Sequence, residues 1–114
     1  MLAAMQMTTD VSEEVTILSL DGDLNATNSR DVESYLSNII DEGNRKLLIN
    51  LDGLNYISSA GLRVMLMANK KLKNAEGELR LCGLNDTVKE VFEIAGFHMI
   101  LNIYVNQEEA LKDF

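Results

Sequence analysis

The spacing of apolar positions changes repeatedly along this chain, and each change marks an element. Val15–Leu20 (VTILSL) is a β-branched, apolar run and predicts a strand. Met5–Thr9 predicts a weaker edge strand before it, joined through a turn near Ser12–Glu14. After a loop at Gly22-Asp23-Leu24-Asn25, the residues Val32, Tyr35, Leu36, Ile39 and Ile40 fall on one helical stripe. Asn28, with Asp31 three residues on, predicts the N-cap of that helix, and Gly43 predicts a left-handed stop. Leu47–Leu51 (LLINL) is apolar on both faces, as a strand inside a parallel sheet is. Leu62, Met65, Leu66 and Leu72 form a second helical stripe, widened by Val64, Met67 and Ala68. That helix is expected to be the most buried, with Gly77 ending it. Leu79–Cys82 predicts a strand. Val88, Val91, Phe92 and Ala95 predict a helix with a Thr87/Glu90 capping box and a stop at Gly96. Ile100–Val105 predicts a last strand, and Asn106 with Glu109 opens a short C-terminal helix through Leu111.

Strand–helix alternation of this kind implies an α/β fold with a mostly parallel sheet and right-handed crossovers, here with an N-terminal edge strand. The length suits a single domain over residues 1–114. The expected core includes Ile17, Leu36, Ile40, Leu48, Leu62, Leu66, Leu81, Val91 and Phe92. In such folds ligand and partner sites gather where strands end and helices begin. The stretch Tyr56–Arg63 (YISSAGLR) lies at such a place, with Ser58, Ser59, Ala60 and Gly61 set between two apolar runs.

Two readings of those small residues are compatible. A serine at a helix start is an N-cap, its hydroxyl accepting a backbone N–H for about 1 kcal/mol, while Ala60 and Gly61 let the first turn pack closely. An exposed serine at the same place can also carry a phosphate, because the helix dipole and free N–H groups tolerate the charge. The phosphate adds about −1.5 to −2 charges to a surface of small residues and would expel a partner docked there.

Composition narrows the chemistry. The apolar fraction is 46% and the charged fraction 25%, the proportions of a folded globular chain. A net charge of −8 speaks against nucleic acid and anionic membranes as partners. The one cysteine, Cys82, permits no internal disulfide and fits a reducing cytosol. Met1–Asp10 carries no Lys or Arg and no long apolar core, so no secretory signal is expected, and no run is long enough to span a bilayer; a cytoplasmic location follows as the expectation. His98 is the sole histidine and has no companion at metal-ligand spacing. Cys82 reads as a buried small hydrophobe, Met65 and Met67 as core filler, and Lys70, Lys71 and Lys73 as favourable charge late in a helix. Asp21, Asp23 and Asp52 sit near strand ends without forming a recognisable ligand set. Neither G-x-G-x-x-G nor G-x-x-x-x-G-K-[ST] occurs. With no nucleophile beside a recognisable base, neither enzymatic activity nor a cofactor is expected.

The fragments GDLNATNSRDVESYL, LLINLDGLNYISSAGLRVML and LCGLNDTVKEVFEIAGF together resemble a STAS domain of the bacterial anti-sigma-factor antagonist family, over about Val15–Leu111. The resemblance implies a domain that binds an anti-sigma factor, itself a serine kinase, and so frees a sigma factor. It implies phosphorylation of a serine at the start of the central helix, which ends binding, and a metal-dependent serine phosphatase that restores it. The motif places that serine at Ser59. The partner surface implied is Leu24, Asn25, Ala26 and Thr27 with Ser58, Ser59, Ala60, Gly61, Leu62 and Arg63. The chain departs from the best-known antagonists at two positions: Ser58 stands where they carry an aspartate before the acceptor, and Asn25 where they often carry one in the preceding loop. Ser58 thereby becomes a rival acceptor. The alternative function is a constitutive, non-phosphorylated STAS adaptor or scaffold subunit, including the soluble subunit of a lipid-transport complex.

Overall fold

The structure is a computed structural model and describes residues 5–114. Met1–Ala4, the start of the stretch read as lacking a secretory signal, lie outside the described residues. Strand β2 (Val15–Leu24) organises the sheet. Its first part pairs antiparallel with β1 (Gln6–Ser12) on one side and parallel with β3 (Lys46–Asn50) on the other. Its last residues, beyond a register shift at Gly22/Asp23, pair in parallel with β4 (Leu54–Ile57). β5 (Glu78–Cys82) and β6 (Asn102–Tyr104) complete the order β1-β2-β3-β5-β6, parallel from β2 onward. The expected edge strand and parallel sheet are therefore both present. Strand β4 was not foreseen. Its four residues alternate buried, exposed, exposed, buried, too short a run to show a period.

Three helices, α1 (Ser29–Asp41), α2 (Ser59–Asn74) and α3 (Asp86–Ile94), cover one face of the sheet. Leu36, Ile40, Leu62, Leu81 and Phe92 lie in this layer, and Val91 packs against it partly buried. The other face carries α4 (Gln107–Leu111), over a smaller cluster of Val15, Ile17, Leu48, Cys82 and Ala110. There the buried Arg80 donates to the carbonyls of Ala110, Lys112 and Asp113, pairs with Glu78, and lies over the rings of Tyr104 and Phe114. A charged residue inside a strand thus ties the C-terminal segment to the sheet.

Several local expectations need correction. Leu66 is only half-buried and turned outward, because the buried stripe of α2 runs through Leu62, Met65, Ala68 and Leu72 with Val64 beside it. Met67 is half-buried as well, on the flank of α2 that faces Ser37 of α1. Asn28 does precede α1, but its side chain makes no cap there; it bonds back into the preceding loop. The cap of α3 is Asn85, whose Oδ1 accepts from the Val88 N–H at 2.8 Å, so Thr87 lies inside the helix and the Thr87/Glu90 box does not form. Gly43 and Gly96 adopt left-handed conformations, but after α2 that role falls to Glu76, at φ 62°. Gly77 is instead required by a close approach: a Cβ there would sit 2.5 Å from the Arg45 carbonyl oxygen. The final strand is shorter than Ile100–Val105, since Phe97–Met99 forms a 3-10 turn and pairing starts at Asn102. Asn106 caps α4 by accepting from the Glu109 N–H, as its spacing implied.

Candidate functional site

Helix α2 begins against the end of β2. The Ser58 N–H donates to the Leu24 carbonyl at 2.9 Å, and the Ser58 carbonyl accepts from the Leu62 N–H, also at 2.9 Å. Ser58 is extended (φ −93°, ψ 174°) and its Oγ accepts from the Gly61 N–H at 3.3 Å, the geometry of an N-cap. Gly61 is needed for proximity: a Cβ would meet Ile57 Cγ1 at 2.7 Å and Leu24 Cγ at 2.8 Å. The first turn of α2 therefore lies directly on the two strand ends that precede the site.

The facing loop is held by two asparagines. Asn25 Oδ1 accepts from the backbone N–H groups of Thr27 and Asn28, at 2.9 and 3.2 Å. Asn28 Oδ1 accepts from the Asn25 N–H, and its Nδ2 donates to the Asp23 carbonyl at 2.7 Å. These bonds satisfy backbone groups of the loop and of the strand end that precedes it. They also use the amide of Asn25, whose side chain is half-buried.

The surface read from the sequence divides accordingly. Ala26, Thr27, Ser59 and Arg63 are exposed; Asn25, Ser58 and Ala60 are half-buried. Leu24, Gly61 and Leu62 are buried and face the core, so they support this surface from beneath instead of presenting side chains on it. Ser59, the first residue of α2, is exposed, and among the described residues its hydroxyl has no hydrogen-bond partner. The first turn of α2 also holds no acidic residue, whereas α1, α3 and α4 each have one or more there, so its positive dipole end is not offset locally.

Two positions beside the site escaped the sequence reading. Tyr56, paired across β4 and β2 with Asp23, is 48% exposed, a large aromatic on the strand leading into the serines. Leu66 follows Ser59 by seven residues and Arg63 by three, which brings the three onto one face of α2 together with Lys70. The apolar period that suggested burial for Leu66 also fits this outward face.

The remaining candidates lie elsewhere. Cys82 is buried on β5; loss of hydration, and secondarily the Asp52 carboxylate, push its thiol up to about 11. His98 is exposed beside a small hollow lined by Lys89, Phe92, Glu93 and Ile103. Among the described residues, no three His, Cys, Asp or Glu side chains are placed to share a metal ion, and no helix is long and apolar enough to cross a membrane.

A mostly parallel sheet with three helices on one face, an N-terminal edge strand and a small-residue helix start beside an asparagine-locked loop make this an α/β domain. The model of the STAS domain matches residues 6–110, and the chain belongs to that family. It is 41% identical to BtrV of Bordetella bronchiseptica, a protein named for anti-sigma factor antagonism, over 96% of this chain and 95% of that one. An anti-sigma factor antagonist from Mycobacterium paratuberculosis superposes with a TM-score of 0.88 at 16% identity, covering 97% of this chain and 96% of the other. The Bacillus cell fate determinant SpoIIAA in its phosphorylated form superposes with a TM-score of 0.71 at 23% identity, covering 95% and 96%. At these identities the two structures show a shared fold.

Proposed function

We propose that this protein is an anti-sigma factor antagonist, a binding protein without catalysis of its own, whose partner is a serine kinase and whose switch is Ser59. The observation that carries the reading is the division of labour between adjacent serines. Ser58 is half-buried and engaged with the Gly61 N–H, while Ser59 is exposed and, among the described residues, its hydroxyl has no hydrogen-bond partner. The likeness to BtrV, named for anti-sigma factor antagonism, supports an anti-sigma factor as the partner.

A phosphate on Ser59 would sit at an uncompensated helix N-terminus, so the fold would tolerate it. The same charge on a docked surface is costly, since a desolvated unpaired charge costs several kcal/mol. Modification would thus release the partner and leave the domain folded. A serine phosphatase would reverse it. The aspartate that precedes the acceptor in the best-known antagonists is replaced here by a serine that can cap the helix equally well.

The test is incubation with ATP and the partner kinase, followed by intact mass and phosphopeptide mapping. One phosphate on Ser59, lost in Ser59→Ala and kept in Ser58→Ala, is the expected result. Transfer of the label to Ser58 would move the switch one residue upstream. An unlabelled wild-type chain that still binds its partner would make the protein a constitutive adaptor.

A further inference from the structure

The helix layer carries a groove that the Ser59 switch does not by itself use. Helices α1 and α2 run side by side in the same direction: Ser37 Oγ lies 3.9 Å from Met67 Sδ, and further along Asp41 pairs with Lys71 at 2.9 Å. Between the helices is a seam. Near Ser59 it is a cleft of about 200 Å³ whose lining includes Arg30, Glu33, Ala60 and Arg63. Farther along it widens to about 550 Å³, bordered by Glu33, Met67, Lys70 and Lys71 among others. Glu33 borders both parts, so they follow one another along the seam.

Charge is what sets this groove apart. The chain holds 18 acidic against 10 basic residues, yet the seam collects Arg30, Arg63, Lys70 and Lys71. Its carboxylates are Glu33 and Asp41, and Asp41 is already paired with Lys71. Among the described residues Arg30, Arg63 and Lys70 enter no ion pair, although acidic side chains are abundant. The floor is apolar, with Ala60, Val64 and the half-buried Met67, a side chain that adapts to varied surfaces. The sixteen residues of α2 extend about 24 Å, room for three to four turns of another helix.

We infer that the α1–α2 seam is a bed for an acidic amphipathic helix of the same partner whose docking Ser59 controls; the inference rests on the switch reading above. An apolar groove rimmed by cations suits a helix with an apolar stripe flanked by Glu or Asp, and opposite potentials speed and orient the encounter. The geometry also links the seam to the switch. Arg63 stands four residues after Ser59 on the same helix face, within reach of a phosphate there. Phosphorylation would engage Arg63 and place negative charge at the mouth of the seam, opposing the acidic helix by electrostatics beyond its local bulk.

The experiment is an NMR titration of the isotope-labelled full chain at low salt with two synthetic helical peptides of about 15 residues. One carries a leucine stripe flanked by glutamates; the other has lysine at every glutamate. The acidic peptide should shift amides of Ala60, Arg63, Met67 and Lys70, the basic one should not, and Lys70→Glu should weaken the acidic peptide about tenfold. Equal response to both peptides, shifts centred elsewhere, or no response would overturn the seam. So would seam shifts that depend on protein concentration without peptide, since a second copy would then be the occupant. A parallel measurement uses the anti-sigma factor recovered with the wild-type chain. If Ser59→Asp abolishes its binding while Lys70→Glu leaves both affinity and melting temperature unchanged, the seam falls and the switch stands. If no anti-sigma factor binds the wild type, the switch falls, and the peptide titration still decides the seam.

Discussion

Ser58 Oγ accepts the Gly61 N–H at 3.3 Å, and that one bond separates the roles of two neighbouring serines. Ser58 caps the helix, whereas among the described residues the Ser59 hydroxyl has no hydrogen-bond partner. Ser58→Ala should cost about 1 kcal/mol of stability in urea titration. Ser59→Ala should stay within about 0.5 kcal/mol, as exposed substitutions do. The reverse order would mean that Ser59 is the cap.

Gly61 offers a contest between two effects of similar size. Alanine is favoured over glycine inside a helix by about 1 kcal/mol. Here, however, the new methyl group would lie 2.7 Å from Ile57 and 2.8 Å from Leu24, both buried and without room to yield. Overpacking of this kind costs about 1–3 kcal/mol. Gly61→Ala should therefore destabilise, and a rise in melting temperature would show that the contact relaxes freely.

Leu66 and Phe92 test the placement of the core. Phe92 is fully buried, so Phe92→Ala should cost about 3–5 kcal/mol. Leu66 faces outward from α2, so Leu66→Ala should cost about 1 kcal/mol or less and should instead weaken partner binding. Comparable losses of stability from both would return Leu66 to the interior.

Cys82 makes stability depend on alkaline pH. Its thiol ionises near the ordinary 9.0 when unfolded but is held up to about 11 when folded, chiefly by burial and then by Asp52. Below pH 9 the thiol is protonated in both states and the native state keeps its full stability. Between about pH 9 and 11 the unfolded chain loses the proton first, so stability falls with rising pH, by on the order of 3 kcal/mol from this group. Cys82→Ala should flatten that part of the pH–stability curve, whatever its effect on absolute stability. An unchanged slope would mean that the folded thiol ionises normally.

Long periodic segments carried the fold in the sequence. The stripe from Val32 to Ile40 and the run Leu47–Leu51 each admit one reading, and α1 and β3 sit where those patterns imply. Shorter or ambiguous signals did not carry it. The four residues of β4 show no period, Leu66 fits either side of α2, and the cap of α3 lies at Asn85 because an asparagine two residues before Thr87 reached the Val88 N–H. Arg80 could not be read at all, since its partners are carbonyls thirty or more residues away. At the site, the motif resemblance pointed to Ser59 with Ser58 as rival, and the structure adds that Ser58, not Ser59, accepts the Gly61 N–H. The burial of Leu24 and Leu62 beneath the surface likewise follows from the way α2 lies on β2 and β4.

The central claim is that charge on Ser59 governs docking without disturbing the fold. Its most direct measurement is calorimetric titration of the anti-sigma factor with three forms of the protein: unmodified, Ser59-phosphorylated and Ser59→Ala. Melting temperatures are taken on the same samples. The account predicts that the unmodified and Ser59→Ala forms bind alike, that the phosphorylated form binds at least about a hundredfold more weakly, and that all three melt within a few degrees of one another. Equal binding by the phosphorylated and unmodified forms would contradict it.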